Sequence, residues 1–230
     1  ILELFALEGP QMVSKLKGMF AFVIWDCKKK EAFAARDPYG IKPLFIGTNS
    51  KGIILASQVK TLLLTKQIST ERDINSQFSF WNLGYVIEPR TWFKNIKALK
   101  SGYYVRIKDG KIISEMQWYD LNKNWISADK NKQRISKKEC NEIIKNSLTS
   151  SVKKHLVSDV PIGIFLSSGV DSTLIAGIVS SNTNKKIIAI TVSFENFEGS
   201  ENDESIKAKK IAQKYGMEHH IYKKDQLQII

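Results

Sequence analysis

The pattern of apolar and polar residues changes near the middle of the chain. Upstream of residue 121, short segments of alternating apolar and polar residues are separated by turn residues, which is typical of antiparallel strands. The predicted strands are residues 18–26, 31–36, 52–57, 102–108 and 111–118. Asp109-Gly110 joins the last two and is a strong hairpin signal. The first half of the chain is therefore predicted to form stacked antiparallel sheets.

Downstream of residue 137, helical spacing alternates with short strand-like runs. The predicted elements are a helix over 138–156, a strand over 162–166, a helix from Thr173, a strand over 187–194, a helix opening at 202–205 and ending at Gly216, and a strand over 219–222. Strands alternating with helices imply parallel pairing. Ligands of such sheets bind beyond the carboxyl ends of the strands.

A polar stretch separates the two patterns. Residues 122–137 are rich in Asn, Lys, Ser, Asp and Gln, and lack a clear apolar period. We therefore predict a first domain over 1–121, a linker over 122–137 and a second domain over 138–230.

The segment Ile162–Ser172 is the strongest chemical signal in the chain. An apolar strand passes through Ser167, Ser168 and Gly169 into a helical pattern. Such a turn directs backbone N–H groups and a helix N-terminus at one point, which favours phosphate. Asp171 would repel phosphate unless Mg²⁺ lay between them. The simpler interpretation is a Ser-Gly turn that binds nothing.

This segment resembles the pyrophosphate-binding loop S-G-G-x-D-S of the ATP pyrophosphatases. These enzymes cleave ATP between its α and β phosphates. Ser168 stands where that pattern has its first Gly. A serine fits there if its φ is negative, and otherwise it would narrow the loop and weaken ATP binding.

The rest of the chain resembles a second, more specific pattern. The matching segments are residues 17–26, 35–44, 52–62, 83–86, 91–96, 101–104 and 118–121. In this order they are similar to the glutaminase half of glutamine-hydrolysing asparagine synthetase, a class II amidotransferase. Gln58 stands where Glu is usual in that family. The resemblance implies an α+β sandwich of the N-terminal nucleophile hydrolase type, arranged α-β-β-α, followed by an α/β parallel-sheet domain of the adenine-nucleotide hydrolase type.

The resemblance also implies a reaction and a set of site residues. Glutamine is hydrolysed in the first domain, and its ammonia passes through an internal channel to the second. There ATP activates aspartate as a β-aspartyl-adenylate, and the products are asparagine, glutamate, AMP and pyrophosphate. The cofactors implied are ATP and Mg²⁺, and a homodimer is allowed for the full-length protein. The implied ATP and pyrophosphate contacts are Leu166, Ser167, Ser168, Gly169, Asp171, Ser172 and Val192, with Mg²⁺ at Asp171.

Three alternatives stay open, of which the third, a nucleic-acid binder, is weighed with the composition below. The same architecture amidates other carboxylates, including sugar acids of surface polysaccharides, and also forms β-lactams. A degenerate nucleotide-binding homologue is the second alternative, which Ser168 and Gln58 keep open.

The ends and the cysteines bear on catalysis. The family's glutaminase uses an N-terminal Cys as nucleophile, whereas this chain begins at Ile1 and ends at Ile230. We expect a fragment truncated at both ends, with no catalytic residue in this chain and no activity of its own. Cys27 and Cys140 are interpreted as structural thiols, since they lack metal-ligand spacing.

Eight more residues are interpreted without a catalytic role: four as scaffold, two at a helix N-terminus and two histidines. The scaffold residues of the first domain are Arg36, Asp37, Gly40 and Lys42. Asp203 and Glu204 match a pair of the family, whose roles range from charge at a helix N-terminus to a substrate-side contact, and the former is preferred. His219 and His220 are assigned no metal, because neighbouring strand residues point to opposite faces.

Composition adds little. The formal net charge is +12, from 35 Lys and Arg against 23 Asp and Glu. Nucleic-acid binding ranks below the amidotransferase, because no nucleic-acid module is present and aromatics are not interleaved with the basic runs. No apolar run approaches transmembrane length, and no membrane partner is expected. A cytoplasmic location is the expectation.

Overall fold

The structure is a computed structural model that describes residues 1–132, 134–183, 186–197, 199–200 and 203–224. The chain divides into two compact units, residues 1–133 and 134–230. The boundary lies within the polar stretch 122–137. Each unit is described by itself below.

The first unit contains two antiparallel sheets. Its helices are α1 (Leu2–Glu8), a 3-10 helix (Gly9–Lys15), α2 (Val59–Leu64), α3 (Ile74–Leu83) and α4 (Leu121–Lys130). Its strands are β1 (Ala21–Asp26), β2 (Glu31–Arg36), β3 (Phe45–Asn49), β4 (Gly52–Ala56), β5 (Ile96–Ala98), β6 (Tyr103–Lys108) and β7 (Lys111–Gln117). One sheet has the order β1-β2-β6-β7 and the other β4-β3-β5. The predicted antiparallel sheets are confirmed.

Three hydrophobic clusters give the layer order of this unit. Strand β2 is buried on both faces, because Ala32 and Ala34 face the second sheet while Phe33 and Ala35 face α1 and the 3-10 helix. Between the sheets lie Ala32, Ala34, Leu44, Ile46, Leu99, Val105 and Ile107. The outer face of the second sheet packs on Leu62 of α2. The layers therefore run helix, sheet, sheet, helix. Each fully buried aliphatic side chain contributes roughly 1.5–3 kcal/mol.

Local turn chemistry agrees with the predicted hairpins. Asp109 and Gly110 have φ of 50° and 70°, as a tight hairpin turn with two left-handed residues requires. Residues 27–30, which include Cys27, form the turn between β1 and β2. Strand β1 begins at Ala21 and not at residue 18, because Gly18 has a φ of 101°, outside the strand region.

The pattern predicted none of the helices of the first unit individually. α1, the 3-10 helix, α2 and α3 fall in stretches to which it assigned no element, as do strands β3 and β5. α4 lies in much of the stretch predicted as a linker, 122–137: Asp120 accepts a hydrogen bond from the Lys123 N–H at 3.1 Å and caps a helix of polar composition.

The second unit is a three-stranded parallel sheet with helices between the strands. Its elements are α5 (Lys137–His155), β8 (Gly163–Phe165), α6 (Val170–Ser180), β9 (Ile188–Phe194), a 3-10 helix (Glu195–Phe197), α7 (Ser205–Lys214) and β10 (Glu218–Lys224). The sheet order is β8-β9-β10, and both pairs are parallel. The predicted parallel pairing is confirmed.

Small residues let two helices approach one face of this sheet. Ala189 of β9 is buried against Ala176 of α6 and against Ala208 and Ala212 of α7. α5 begins with a capping box in which Ser136 and Glu139 bind each other's backbone N–H groups. α7 begins at Ser205, within the predicted opening 202–205, of which Asn202 lies outside the described residues.

Candidate functional site

The serine-rich turn joins β8 to α6 at the carboxyl edge of the parallel sheet. After β8 ends at Phe165, the Leu166 N–H still donates to the Ile190 carbonyl at 2.8 Å. α6 begins at Val170 with Gly169 as its N-cap, three residues before the predicted start at Thr173. The sequence hid this start, because the first helical residues include a β-branched Val and lack an apolar period. Asp171 and Ser172 therefore lie in the first turn of α6.

The Ser172 hydroxyl is the centre of the turn. Its oxygen lies 2.8 Å from the Ser167 hydroxyl oxygen, 3.1 Å from the Ser167 carbonyl and 3.2 Å from the Gly169 carbonyl. The Ser167 N–H donates to it at 3.3 Å, and the Gly169 N–H donates to the Ser167 hydroxyl at 3.2 Å. The structure thus brings together three of the predicted site residues, Ser167, Gly169 and Ser172.

The N-terminus of α6 adds further donors at the same place. The first bond of the helix runs from the Thr173 N–H to the Gly169 carbonyl at 3.1 Å, and no side chain caps the helix. The N–H groups of Val170, Asp171 and Ser172 precede that bond, so they are the helix's unpaired donors. They and the helix dipole favour an anion. The Asp171 carboxylate is exposed beside them.

The backbone of the turn accepts a serine at the position of the family's glycine. Among the described residues, the non-glycine residues with positive φ are Lys30, Lys66 and Asp109. Ser168 is not one of them, so it carries no left-handed strain. Gly169 has a φ of −68°, but a Cβ there would lie 3.2 Å from the Ser167 hydroxyl oxygen. Close approach, and not φ, is what favours glycine at that position.

Leu166 and Val192 differ in what they can offer a nucleotide. Leu166 as a whole residue is 2 % exposed, and its side chain packs in the core of the unit. Val192 is 49 % exposed on β9. Val192 therefore offers a nucleotide an exposed side chain, whereas Leu166 is enclosed by the core.

The sequence analysis did not predict a contact between two polar residues behind the turn, Thr191 and His219. The Thr191 hydroxyl donates to the Leu166 carbonyl at 2.7 Å, and His219 Nε2 lies 2.7 Å from the same hydroxyl oxygen. Burial lowers the pKa of His219, and the positive charges of His220 and Lys209 lower it further. No local pattern could have paired these residues, because the contact depends on how β10 lies beside β9.

Asp203 organises the start of α7. Its Oδ1 accepts hydrogen bonds from the Ser205 N–H at 2.9 Å and from the Ser193 hydroxyl at 3.2 Å. Hydrogen bonding by Ser205 lowers the pKa of this carboxyl. These contacts agree with a role at a helix N-terminus. Glu204 is exposed and forms no side-chain cap.

In the first unit, Arg36 ties three segments together. Its buried guanidinium donates to the carbonyls of Gly40, Lys42 and Leu99 at 2.7, 2.9 and 2.7 Å. It also pairs with both carboxylate oxygens of Glu88, at 2.9 and 3.2 Å. A planar guanidinium is suited to such a set of acceptors. Gly40 has a φ of 65°, and a Cβ there would lie 2.9 Å from the guanidinium.

Asp37 is the counterpart of Arg36 in the same loop. Its buried carboxylate accepts four backbone N–H groups, from Phe20, Tyr39, Ile41 and Lys42, at 3.0–3.3 Å. Loop 37–42 is therefore wrapped around one carboxylate. Both side chains are saturated by structural contacts, in agreement with the interpretation of this segment as scaffold.

Two family models match the chain, one in each unit. The model described as a glutamine amidotransferase domain matches residues 1–119, and the model described as asparagine synthase matches residues 144–229. The chain belongs to the glutamine-hydrolysing asparagine synthetase family.

Three relatives show how much of the family's length is present. A protein of Mycobacterium tuberculosis (strain H37Rv) named as a glutamine-hydrolysing asparagine synthetase is 36 % identical over 193 residues, which cover 81 % of this chain and 28 % of the relative. Asparagine synthetase 1 of Bacillus subtilis is 32 % identical, covering 91 % and 31 %. Amidase chyE of Penicillium rubens is 29 % identical, covering 98 % and 34 %. The chain thus spans about a third or less of these relatives.

The cysteines and His220 of this asparagine synthetase family member do not form a second candidate site within the described residues. Cys27 is exposed in its hairpin turn and Cys140 is half-buried in α5, and both are free thiols. In the described part of the chain, no three His, Cys, Asp or Glu side chains are grouped as metal ligands. His220 Nε2 instead lies 2.9 Å from Glu218 Oε1. Across the same residues, no helix is both long and apolar enough to cross a membrane.

Proposed function

We propose that this chain is part of an ATP-dependent amidotransferase, a carbon–nitrogen ligase that takes its nitrogen from glutamine. The proposed reaction converts aspartate, glutamine and ATP to asparagine, glutamate, AMP and pyrophosphate through a β-aspartyl-adenylate. Matches to both halves of the family, in one chain and in the family's order, support this proposal. In it, residues 1–121 belong to the glutaminase domain and 138–230 to the synthetase domain.

The turn between β8 and α6 is the observation that carries the proposal. The hydroxyls of Ser167, Ser168 and Ser172 and the N–H of Gly169 would hold the pyrophosphate part of ATP. In the structure, several of these groups form hydrogen bonds with one another within the turn. The groups are therefore already close together, and phosphate oxygens could replace these internal hydrogen bonds without a movement of the sheet. The N-terminus of α6 supplies additional donors of fixed direction.

Asp171 fits a magnesium ligand. Its carboxylate is exposed in the first turn of α6, next to the proposed phosphate position. Mg²⁺ prefers carboxylate and phosphate oxygens, and when bound it would offset the charge of the pyrophosphate leaving group. Asp171 would hold the ion, and Leu166 and the exposed side chain of Val192 would flank the nucleotide.

One observation favours an alternative in which the carboxylate that is amidated is not aspartate. Two fungal relatives that align with 98 % of this chain are named amidases and not asparagine synthetases. An acceptor carboxylate other than aspartate, such as a sugar acid, is therefore the second candidate.

Exchange of labelled pyrophosphate into ATP tests both candidates. We would measure it in the protein at the length its source produces, with aspartate and with a panel of other carboxylates. The expected result is exchange that depends on aspartate and Mg²⁺ and falls by at least roughly tenfold in Ser172→Ala, which removes the central hydroxyl of the turn. Ser180→Ala is the matched control, because Ser180 lies at the other end of α6 and its hydroxyl donates to the Gly177 carbonyl at 3.2 Å. Exchange with another carboxylate alone would select the second candidate, and no exchange with any would indicate a degenerate homologue.

A further inference from the structure

Leu166 connects the sheet to the turn between β8 and α6, residues 166–169, which is called the nucleotide turn below. It follows the last residue of β8 and precedes Ser167. Its N–H donates to the Ile190 carbonyl at 2.8 Å, and its carbonyl accepts from the Thr191 hydroxyl at 2.7 Å. The Thr191 side chain therefore extends the attachment of β8 to β9 one step beyond the backbone ladder.

The number of protons fixes the roles in this chain of hydrogen bonds. A threonine hydroxyl carries one proton, and a carbonyl oxygen can only accept. Thr191 must therefore donate to Leu166. The 2.7 Å contact with His219 Nε2 is then possible only if the histidine donates to the Thr191 oxygen. His219 must carry its proton on Nε2, and it orients the hydroxyl toward Leu166.

We propose that His219 and Thr191 are positioning residues that set the place of the nucleotide turn through the Leu166 carbonyl. This inference rests on the proposed function, because it assigns the cause of ATP affinity to residues that need not touch ATP. The hydrogen bonds run from β10 through β9 to β8, so all three strands of the sheet act on the turn.

The arrangement acts on both sides of the proposed nucleotide position. Thr191 is bonded to Leu166, and it directly precedes Val192, the proposed contact on the neighbouring strand. Rotation of the Thr191 side chain would release the Leu166 carbonyl at the point where the chain enters the turn. Misplacement of binding groups by a fraction of an ångström to about 1 Å is enough to weaken their action.

Packing alone would not require these residues. Thr191 and Leu166 are both buried, and a valine would fill the space of Thr191 without the hydroxyl. The charged groups that act on His219 are His220 of its own strand and Lys209 of α7, and neither replaces the bond to Thr191.

Paired variants separate the hydrogen bonds from the packing. Thr191→Val removes the hydroxyl and Thr191→Ser keeps it. His219→Leu removes the donor, whereas His219→Gln places an amide N–H close to the position of Nε2. His220→Gln is the control, because His220 lies next along β10, points to the other face and bonds Glu218.

ATP affinity and backbone protection are the two readouts. We would measure the Kd for ATP with Mg²⁺ by calorimetry, in the protein at the length its source produces, below the unfolding temperature of every variant. We would also measure hydrogen exchange of the Ser167 and Gly169 amides without nucleotide. We expect Thr191→Val and His219→Leu to weaken ATP binding roughly tenfold, the equivalent of one hydrogen bond, with faster exchange in the turn. Thr191→Ser, His219→Gln and the control should stay within about twofold of the parent.

The outcomes are distinguishable. If Thr191→Val and His219→Leu lower the melting temperature but leave ATP affinity and turn exchange unchanged, the role is structural and the inference is overturned. If the parent does not bind ATP, the proposed function fails, and hydrogen exchange still decides whether the two residues position the turn. Should Thr191→Val not fold, the two His219 variants provide the same comparison.

Discussion

The Asp37 carboxylate offers the sharpest test of how the first unit is held together. Oδ1 accepts from the N–H groups of Tyr39 and Ile41 at 3.0 and 3.1 Å, and Oδ2 from those of Phe20 and Lys42 at 3.3 and 3.0 Å. Asn has nearly the same shape, but one of the two oxygens becomes an NH₂ group. Whichever way the amide is turned, two backbone N–H groups then face a donor.

The cost of Asp37→Asn follows from these two broken hydrogen bonds. Bonds to a charged acceptor contribute about 1.5–3 kcal/mol each, so the substitution should destabilise the first unit by about 3–6 kcal/mol. Small domains are stable by only about 5–15 kcal/mol in total. With a urea m value of about 1–3 kcal/mol/M, the unfolding midpoint should fall by at least about 1 M.

Tryptophan fluorescence in urea measures this unit selectively. All five tryptophans lie upstream of residue 134, at positions 25, 81, 92, 118 and 125. The matched control is Asp26→Asn. Asp26 accepts the N–H groups of Lys28 and Lys29 at 2.9 and 3.0 Å through the same oxygen, Oδ1, so an asparagine can keep both bonds. We expect little change in the control.

Equal midpoints for Asp37→Asn and Asp26→Asn would refute the reasoning. The loop would then be held by the contacts of Arg36 or by packing, and the two-oxygen geometry of Asp37 would carry no energy of its own. A common large loss in both variants would also refute it, since the control keeps its bonds.

Three further predictions concern a glycine, a helix cap and a histidine. Gly40→Ala should lower the free energy of unfolding by about 1–3 kcal/mol, measured by tryptophan fluorescence in urea, because φ is 65° and the Arg36 guanidinium blocks the Cβ; an unchanged midpoint contradicts this. Ser136→Ala should cost the second unit about 1 kcal/mol in thermal unfolding followed by circular dichroism, and Ser136→Thr should restore most of it. Folding lowers the pKa of His219 from its ordinary value of 6.5, so as the pH falls the unfolded chain takes up the proton before the folded chain does. The free energy of unfolding of the second unit should therefore be constant above pH 6.5 and decline below it. His219→Gln should reduce that decline, and equal pH profiles would contradict the assignment.

Several elements of the fold could be predicted from local patterns in the sequence. The β6–β7 hairpin follows from alternation on either side of Asp109-Gly110, where two left-handed residues are needed. β9 was predicted from a run of β-branched residues, and α5 from apolar spacing along 138–156. These elements are visible in sequence because their own residues determine them.

Other features depend on residues that are distant in sequence. Arg36 meets Glu88 52 positions later, and Thr191 meets His219 28 positions later. Neither pairing has a local pattern. α3 was missed although Asp73 caps it and Gly84 ends it with a φ of 77°, because its aromatic residues do not form one apolar stripe. In the turn between β8 and α6, the sequence showed which residue types are present. The start of α6 and the hydrogen bond between the Ser167 and Ser172 hydroxyls became evident only in the structure.

The loop around Asp37 also restricts which substitutions the chain can accept. Every N–H from Tyr39 to Lys42 is used, since Gly40 donates to the Asp37 carbonyl and the other three donate to its carboxylate. Prolines occupy the two flanking positions, 38 and 43. Proline removes a donor and fixes φ, so both rings sit where no donor is required, and they stiffen the entrance and the exit of the loop. Proline substitutions should therefore destabilise the first unit at each of positions 39–42, where the N–H group is needed as a donor, whereas positions 38 and 43 already accept proline.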